Sequence, residues 1–269
     1  MNNTYGGQQS DRWLRNRVGR ITGSRIADVC SYLTRKSGDK QAGDSSGKRD
    51  DYKLELIFER LSGRTKDHYN SAAMQRGSEL EEEARLYYES VMREMCAPVN
   101  FVLHPEYDFT GASPDALVGT EGVLEIKSLL PWNHLKYAIA REAPDEYLPQ
   151  VAWELACTGR KWVDFVMYCP DIVGCDELRF FYRRIGRDEL EWTVAGKDKL
   201  TGESVIDYFT SEVLKLNGEI EAFMAEHHAK PIAPFPVEII GDEEEDNADP
   251  SDFLGPAYDF LDDSPAGIP

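Results

Sequence analysis

With 269 residues, 41% of them apolar, the chain can bury a full-sized core, and no run approaches the roughly 18 apolar residues that a membrane span needs. A net charge of −19 argues against a nucleic-acid partner, yet eleven of the acids lie between Glu238 and Pro269, a stretch without Lys or Arg, and residues 1–237 carry only −8. The five scattered cysteines, Cys30, Cys96, Cys157, Cys169 and Cys175, form no C-x-x-C pair, which argues against a zinc or iron–sulfur centre and for buried or half-buried free thiols.

The N-terminal MNNTYGGQQSDRW is polar and lacks the apolar stretch of a secretory signal, so a cytoplasmic protein is expected. Residues 11–33 read as a short helix, a G-R-I-T-G-S turn and a second helix, with Ser24 as its N-cap and Ile26, Val29 and Cys30 on its apolar side. Arg12, Arg15, Arg17, Arg20 and Arg25 crowd this segment and would suit a local basic channel. Residues 34–50 are polar, Gly/Ser-rich and partly basic, and read as a mobile loop. A helix follows over 51–63, marked by Leu54, Ile57, Phe58 and Leu61 and stopped by Gly63. The longest helix is predicted over 71–95, with Leu80, Ala84, Tyr87, Tyr88 and Val91 at helical spacing.

After Pro98 the pattern becomes strand-like through residue 130, and Gly119-Thr120-Glu121-Gly122 reads as the turn of a hairpin between 115–118 and 123–128. Residues 145–159 read as helix, 161–169 as a buried strand, 178–185 as an alternating strand and 203–228 as helix. The order predicts a mixed α/β domain with a central sheet flanked by helices, spanning residues 1–230. Residues 231–269 read as a Pro-rich linker and an acidic, disordered tail. Phe253, Leu254, Tyr258, Phe260 and Leu261 within it suit either a solubilising tail or one that folds on a partner.

The chemistry concentrates in Ser113-Pro114-Asp115 and Leu124-Glu125-Ile126-Lys127. Strand alternation puts Glu125 and Lys127 on one face, and the hairpin would bring Asp115 beside them. An E-x-K pattern alone says little. Inside the apolar run VLEIKSLL it says more, because an unpaired buried charge is expensive. Asp115, Glu125 and the Ile126 carbonyl are the hard oxygen donors that Mg²⁺ prefers. Lys127 would hold the attacking water or help deprotonate it. Glu81, with Gly77 and Ala84 along the same helix face, could approach the sheet and complete a metal site.

Five motifs in order resemble the lambda-type exonuclease family, also called the YqaJ-like viral recombinase family, within the PD-(D/E)xK nuclease superfamily. They run from Trp13 to Ser24 (WLRNRVGRITGS), Arg76 to Ala84 (RGSELEEEA), Gly111 to Gly119 (GASPDALVG), Leu124 to Lys127 (LEIK) and Tyr147 to Val166. The resemblance implies a restriction-endonuclease-like fold, with Asp115, Glu125 and Lys127 catalytic and Glu81 assisting metal binding. It also implies that Arg17, Ser24, Ser113 and Gln150 bind the 5′-terminal phosphate. The implied activity is 5′→3′ digestion of one strand of linear duplex DNA with Mg²⁺, for which Mn²⁺ substitutes. The 3′ overhangs would serve a single-strand annealing protein in phage-type recombination, and the implied assembly is a homotrimer. Two positions depart from the family pattern: Ala116 stands where Gly is common and Ala152 where a second Gln is common. A related endonuclease, or a DNA-end-binding scaffold without turnover, are the competing readings.

Overall fold

Two apolar runs, Gly122–Lys127 and Trp162–Tyr168, lie side by side in parallel at the centre of a five-stranded sheet. The computed structural model describes residues 11–65, 72–194 and 199–236. In chain order the elements begin α1 (Asp11–Arg17), β1 (Ile21–Thr22), α2 (Ile26–Val29), α3 (Gly47–Ser62) and α4 (Ala72–Met92). Next come β2 (Cys96–Pro98), β3 (Val102–Leu103), β4 (Thr110–Ala112), β5 (Ala116–Val118), β6 (Gly122–Lys127), α5 (Pro131–Ala140) and α6 (Leu148–Thr158). The last are β7 (Trp162–Tyr168), α7 (Asp176–Arg179), β8 (Phe180–Gly186), β9 (Glu191–Thr193), β10 (Lys199–Thr201) and α8 (Glu203–Glu226).

The main sheet has the order β2-β5-β6-β7-β8, antiparallel except for the β6–β7 pair. A smaller sheet, β1-β4-β3, and a β9–β10 hairpin complete the strands described. Because helices cover both faces, the central strands are buried along almost their whole length rather than alternating, and Glu125 and Asp164 are buried with them. One face places Val123, Val163, Phe165, Met167 and Phe181 in a large core with residues of α2, α3, α6 and α8. The other places Leu124, Ile126, Val166 and Tyr168 against Ala84 and Tyr88 of α4. The expected mixed sheet flanked by helices is therefore the observed architecture.

The β5–β6 hairpin is tightly specified. A Cβ on Gly122 would come within 2.0 Å of the Trp162 ring, so only glycine lets that ring cover the strand start. Arg160 Nη1 donates to the carbonyls of Val118, Gly119 and Gly122, which ties both arms of the turn together. On the same face as Trp162, fully buried Asp164 accepts two bonds from Arg184, both 2.8 Å, and one from the Tyr88 hydroxyl at 2.6 Å. That triad fastens α4 to the sheet.

Several local expectations change. Ser24 is not an N-cap: it lies inside a 3₁₀ turn, Gly23–Arg25, and Arg25 occupies the cap position of α2 without a side-chain bond. The helix expected from 51 begins at Gly47, capped by Ser46, whose hydroxyl accepts from the Arg49 N–H; Gly63 ends it in the left-handed conformation, as expected. Strands β3 and β4 fall within the strand-like stretch expected after Pro98, whereas helix α5 and the short strands β1, β2, β9 and β10 were not anticipated, because their segments are too short or too interrupted to show a period. Gly77, expected to permit close approach, has open space where a Cβ would stand, whereas Ala84 is buried on the sheet. Cys96, Cys157 and Cys169 are buried and Cys30 is half-buried, but Cys175 is exposed.

Residues 231–236, read from the sequence as the start of a linker, lie against α1 and α3. Ile232 N–H donates to the Arg60 carbonyl, Arg20 donates to the Phe235 carbonyl, and Ala233 is buried. The expected disordered acidic tail, with its apolar anchors, lies outside the described residues. No helix among the described residues is long and apolar enough to cross a membrane.

Replacing Asp164 with Ala should strand the Arg184 and Tyr88 donors. Arg184 is 44% exposed and can turn to water, so the cost is chiefly that of the buried Tyr88 hydroxyl left without its acceptor, about 1–3 kcal/mol. Urea denaturation of the wild type and Asp164→Ala should show a loss of that size. A difference near zero would mean that the triad does not fasten α4.

Candidate active site

The hairpin brings Asp115 to β6 by its register. Ala116 pairs with Leu124, so Asp115, one residue earlier, stands beside Glu125. Its own N–H donates to the Leu124 carbonyl, and its Oδ2 accepts the Ile126 N–H at 2.6 Å. Ile126 therefore turns its side chain into the smaller core and its N–H towards Asp115.

Glu125 is 1% exposed. Its Oε1 accepts Lys127 Nζ at 2.5 Å and Gln150 Nε2 at 2.6 Å, while its Oε2 is buried with no partner. Lys127 Nζ also donates to Gln150 Oε1 at 3.3 Å and lies 5.0 Å from the centroid of the Tyr147 ring. Gln150 Nε2 makes a further bond, 3.0 Å, to Glu154 Oε1, one turn along α6. Glu154 is itself 1% exposed, and its Oε2 has no partner.

Crowded carboxyls hold their protons. Burial first, then Glu125, pushes Glu81 up to about 7, against the opposing pull of Lys127 and Arg85. Burial, Glu125 and Glu81 raise Asp115 well above the usual carboxylate range. Glu154 is raised likewise, by burial and then Glu125. Burial alone would lower Lys127, but Glu125 and Asp115 outweigh it and hold its ammonium above the ordinary lysine value. Four carboxyls thus share one ammonium, a charge balance that favours a further cation.

A hard divalent cation fits the donor chemistry: every donor is a carboxylate or carbonyl oxygen, and Glu125 Oε2 is a buried acceptor without a donor. The side chains do not close into a cage around it. Among the described residues, no three His, Cys, Asp or Glu groups converge tightly enough to hold an ion, because Glu125 is drawn onto Lys127 and Gln150.

A second cluster adjoins Asp115 through the chain. Ser113 Oγ accepts from Arg17 Nη1 and from Trp13 Nε1, each at 3.1 Å, and the Arg17 guanidinium lies 4.2 Å from the Trp13 ring centroid. Burial lowers Arg17 to about 10. Arg17 has no ion-pair partner among the described residues. By contrast, Arg25 pairs with Asp28 and Glu55, and Arg20 is spent on the carbonyls of Asn16, Asp108 and Phe235. The parallel register of β1 and β4, Thr22 opposite Gly111, is followed by Gly23 packed on Ala112, and exposed Ser24 is the next residue of that turn.

The structure therefore joins Asp115, Glu125, Lys127 and Glu81, and it joins Arg17 with Ser113, while Ser24 lies exposed in the turn after β1. Gln150, expected with the second group, spends its amide on the first. Ala116 and Ala152 are buried in the smaller and larger cores, so neither departure faces the cluster. Sequence reasoning missed Glu154, Tyr147 and Trp13. Only Glu154 carried a signal, its i, i+4 spacing from Gln150.

The YqaJ-like viral recombinase domain matches residues 12–161. The chain belongs to that family. An alkaline exonuclease from Laribacter hongkongensis is similar at 32% identity, covering 81% of this chain and 96% of that one, with a TM-score of 0.66. The same enzyme in complex with dAMP gives 32% identity, 81% and 98% coverage and a TM-score of 0.65. A phage-related exonuclease from Haemophilus somnus 129PT shares the fold at 14% identity, with 77% and 96% coverage and a TM-score of 0.57. No curated protein matches.

Glu81 predicts a pH dependence. A raised carboxyl contributes stability that is full below the unfolded value, near 4.5, and is lost as pH rises through about 7. With divalent cations chelated, thermal unfolding should therefore show stability falling across that window, and Glu81→Gln should flatten the fall. An identical pH profile in the variant would remove Glu81 from the cluster.

Proposed function

We propose that the chain is a metal-dependent exonuclease that digests linear double-stranded DNA from a phosphorylated 5′ end. One observation carries the reading. The single segment Ser113-Pro114-Asp115 links a guanidinium that has no ion pair among the described residues to a buried acid cluster around one ammonium. An endonuclease has no need of a terminal-phosphate pocket, and a scaffold without turnover has no need of the acid cluster.

Arg17 grips the terminal phosphate, with Ser24 and Ser113 adding directional donors. Trp13 stiffens Arg17 from below. Asp115, Glu125, Glu81 and the Ile126 carbonyl would hold Mg²⁺, or Mn²⁺ in its place. When bound, the cation supplies positive charge to the scissile phosphate and acidity to water. Lys127, kept protonated by Glu125 and Asp115, steadies the developing charge on the phosphate, and Gln150 fixes the orientation of both side chains.

In this reading residues 1–230 hold the nuclease, and residues 231–269 are a linker and tail that the chemistry does not use. The product strands with 3′ overhangs would pass to a single-strand annealing protein in phage-type recombination. A cytoplasmic, phage- or prophage-encoded homotrimer follows the same resemblance.

The test uses linear duplexes ending in a 5′-phosphate or a 5′-hydroxyl, with and without Mg²⁺. Mononucleotide release should need the metal and favour the phosphorylated end, and Arg17→Ala should erase that preference. Metal-independent release would defeat the mechanism; equal rates at both ends in the wild type would defeat the phosphate pocket. Lys127→Ala should lower cleavage by about 1000-fold while DNA binding stays measurable.

A further inference from the structure

A cavity of about 440 Å³ opens beside the acid cluster without containing any of it. Tyr147 and Val151 form its α6 side, Phe165 its floor, and Arg183, Trp192 and Lys199 its far side. The sheet register puts it on the catalytic face. Glu125 pairs with Phe165, and Phe165 pairs with Arg183, so the three stand in one row across β6, β7 and β8. At about 4.8 Å per strand spacing, Arg183 stands about 10 Å from Glu125, backbone to backbone. Tyr147 is the shared wall: its ring lies 5.0 Å from Lys127 Nζ and 5.5 Å from the Phe165 ring.

The cations around this cavity differ in what they already hold. Lys199 is paired with Glu191 at 2.6 Å, and Arg184, on the other face of β8, is locked onto Asp164. Glu189 accepts the Gly186 N–H of its own turn. Arg183 is exposed and has neither an ion pair nor a hydrogen bond among the described residues, although it lines an aromatic pocket. A free guanidinium beside Tyr147, Phe165 and Trp192 meets two needs of a nucleotide at once, phosphate pairing and base stacking. Asp145 at the lip can accept from an exocyclic base amine.

Resting on the nuclease reading, we propose that this cavity is a nucleotide subsite next to the active site. Its ligand is one unstacked base with its phosphate on Arg183, either as part of a single strand leaving the cluster or as a released mononucleotide. Both sources share this chemistry, and the experiment separates them.

The full chain, in EDTA, is titrated with a short labelled single-stranded oligonucleotide over a series of salt concentrations, and separately with dAMP. Arg183→Ala should weaken oligonucleotide binding by about tenfold. It should also reduce the slope of log affinity against log salt by about 0.7, the loss of one single-strand phosphate contact. Arg183→Lys should restore the slope, which a merely structural role would not do. Weakened dAMP binding as well would assign the cavity to free nucleotide; a loss confined to the oligonucleotide would assign it to the strand. No binding of either ligand by the wild type, or an unchanged affinity and slope in Arg183→Ala for both, overturns the subsite. Cleavage of 5′-phosphorylated duplex by the wild type is scored separately. If cleavage fails while the Arg183-dependent slope persists, the nuclease reading falls and the subsite stands.

Discussion

Glu125 sits inside the sheet with one oxygen shared between Lys127 and Gln150 and the other without a donor. Burying an ionised carboxylate costs several kcal/mol unless charge and hydrogen bonds offset it. Lys127, two residues along β6, and Gln150 of α6 supply that offset, whereas Asp115 from the β5–β6 hairpin, Glu154 of α6 and Glu81 of α4 add to the cost. Beside a single ammonium, burial and the neighbouring carboxyls raise Glu81, Asp115 and Glu154 above the ordinary carboxylate range.

The two halves of the candidate site are held by different means. The acid cluster depends on strand register and on the clamp of Arg160 across the hairpin turn. The Arg17 half depends on the small sheet, where β1 runs parallel to β4 and lays the 3₁₀ turn at Gly23 on Ala112. Residues 113–115 are covalently common to both, so a shift in either half is felt by the other.

Tertiary packing gives Gln150 partners that the sequence does not show. The family resemblance puts it on the terminal phosphate, yet α6 aims its amide at Glu125, Glu154 and Lys127. An amide is suited to this place: its oxygen accepts from the ammonium while its nitrogen donates to two carboxyls. The opposite face of the sheet has its own constraint. The bonds from Tyr88 and Arg184 to Asp164 lie two helical turns beyond Glu81, so the position of that carboxyl depends on a buried charge it never touches.

The sequence by itself determined the mixed α/β class, the hairpin at Gly119–Gly122, the long helices and the grouping of Asp115, Glu125 and Lys127. Each of these is local: a period, a turn type or an alternation within a few residues of the chain. The tertiary structure alone decided what depends on distant segments meeting. Trp13 reaches Ser113 across 100 residues, Tyr147 covers Lys127, and Arg183 has no ion pair or hydrogen bond among the described residues while Arg184 beside it is bound. Short strands such as β1 and β10 were illegible for the same reason, since two or three residues show no period and exist only where a neighbour pairs with them.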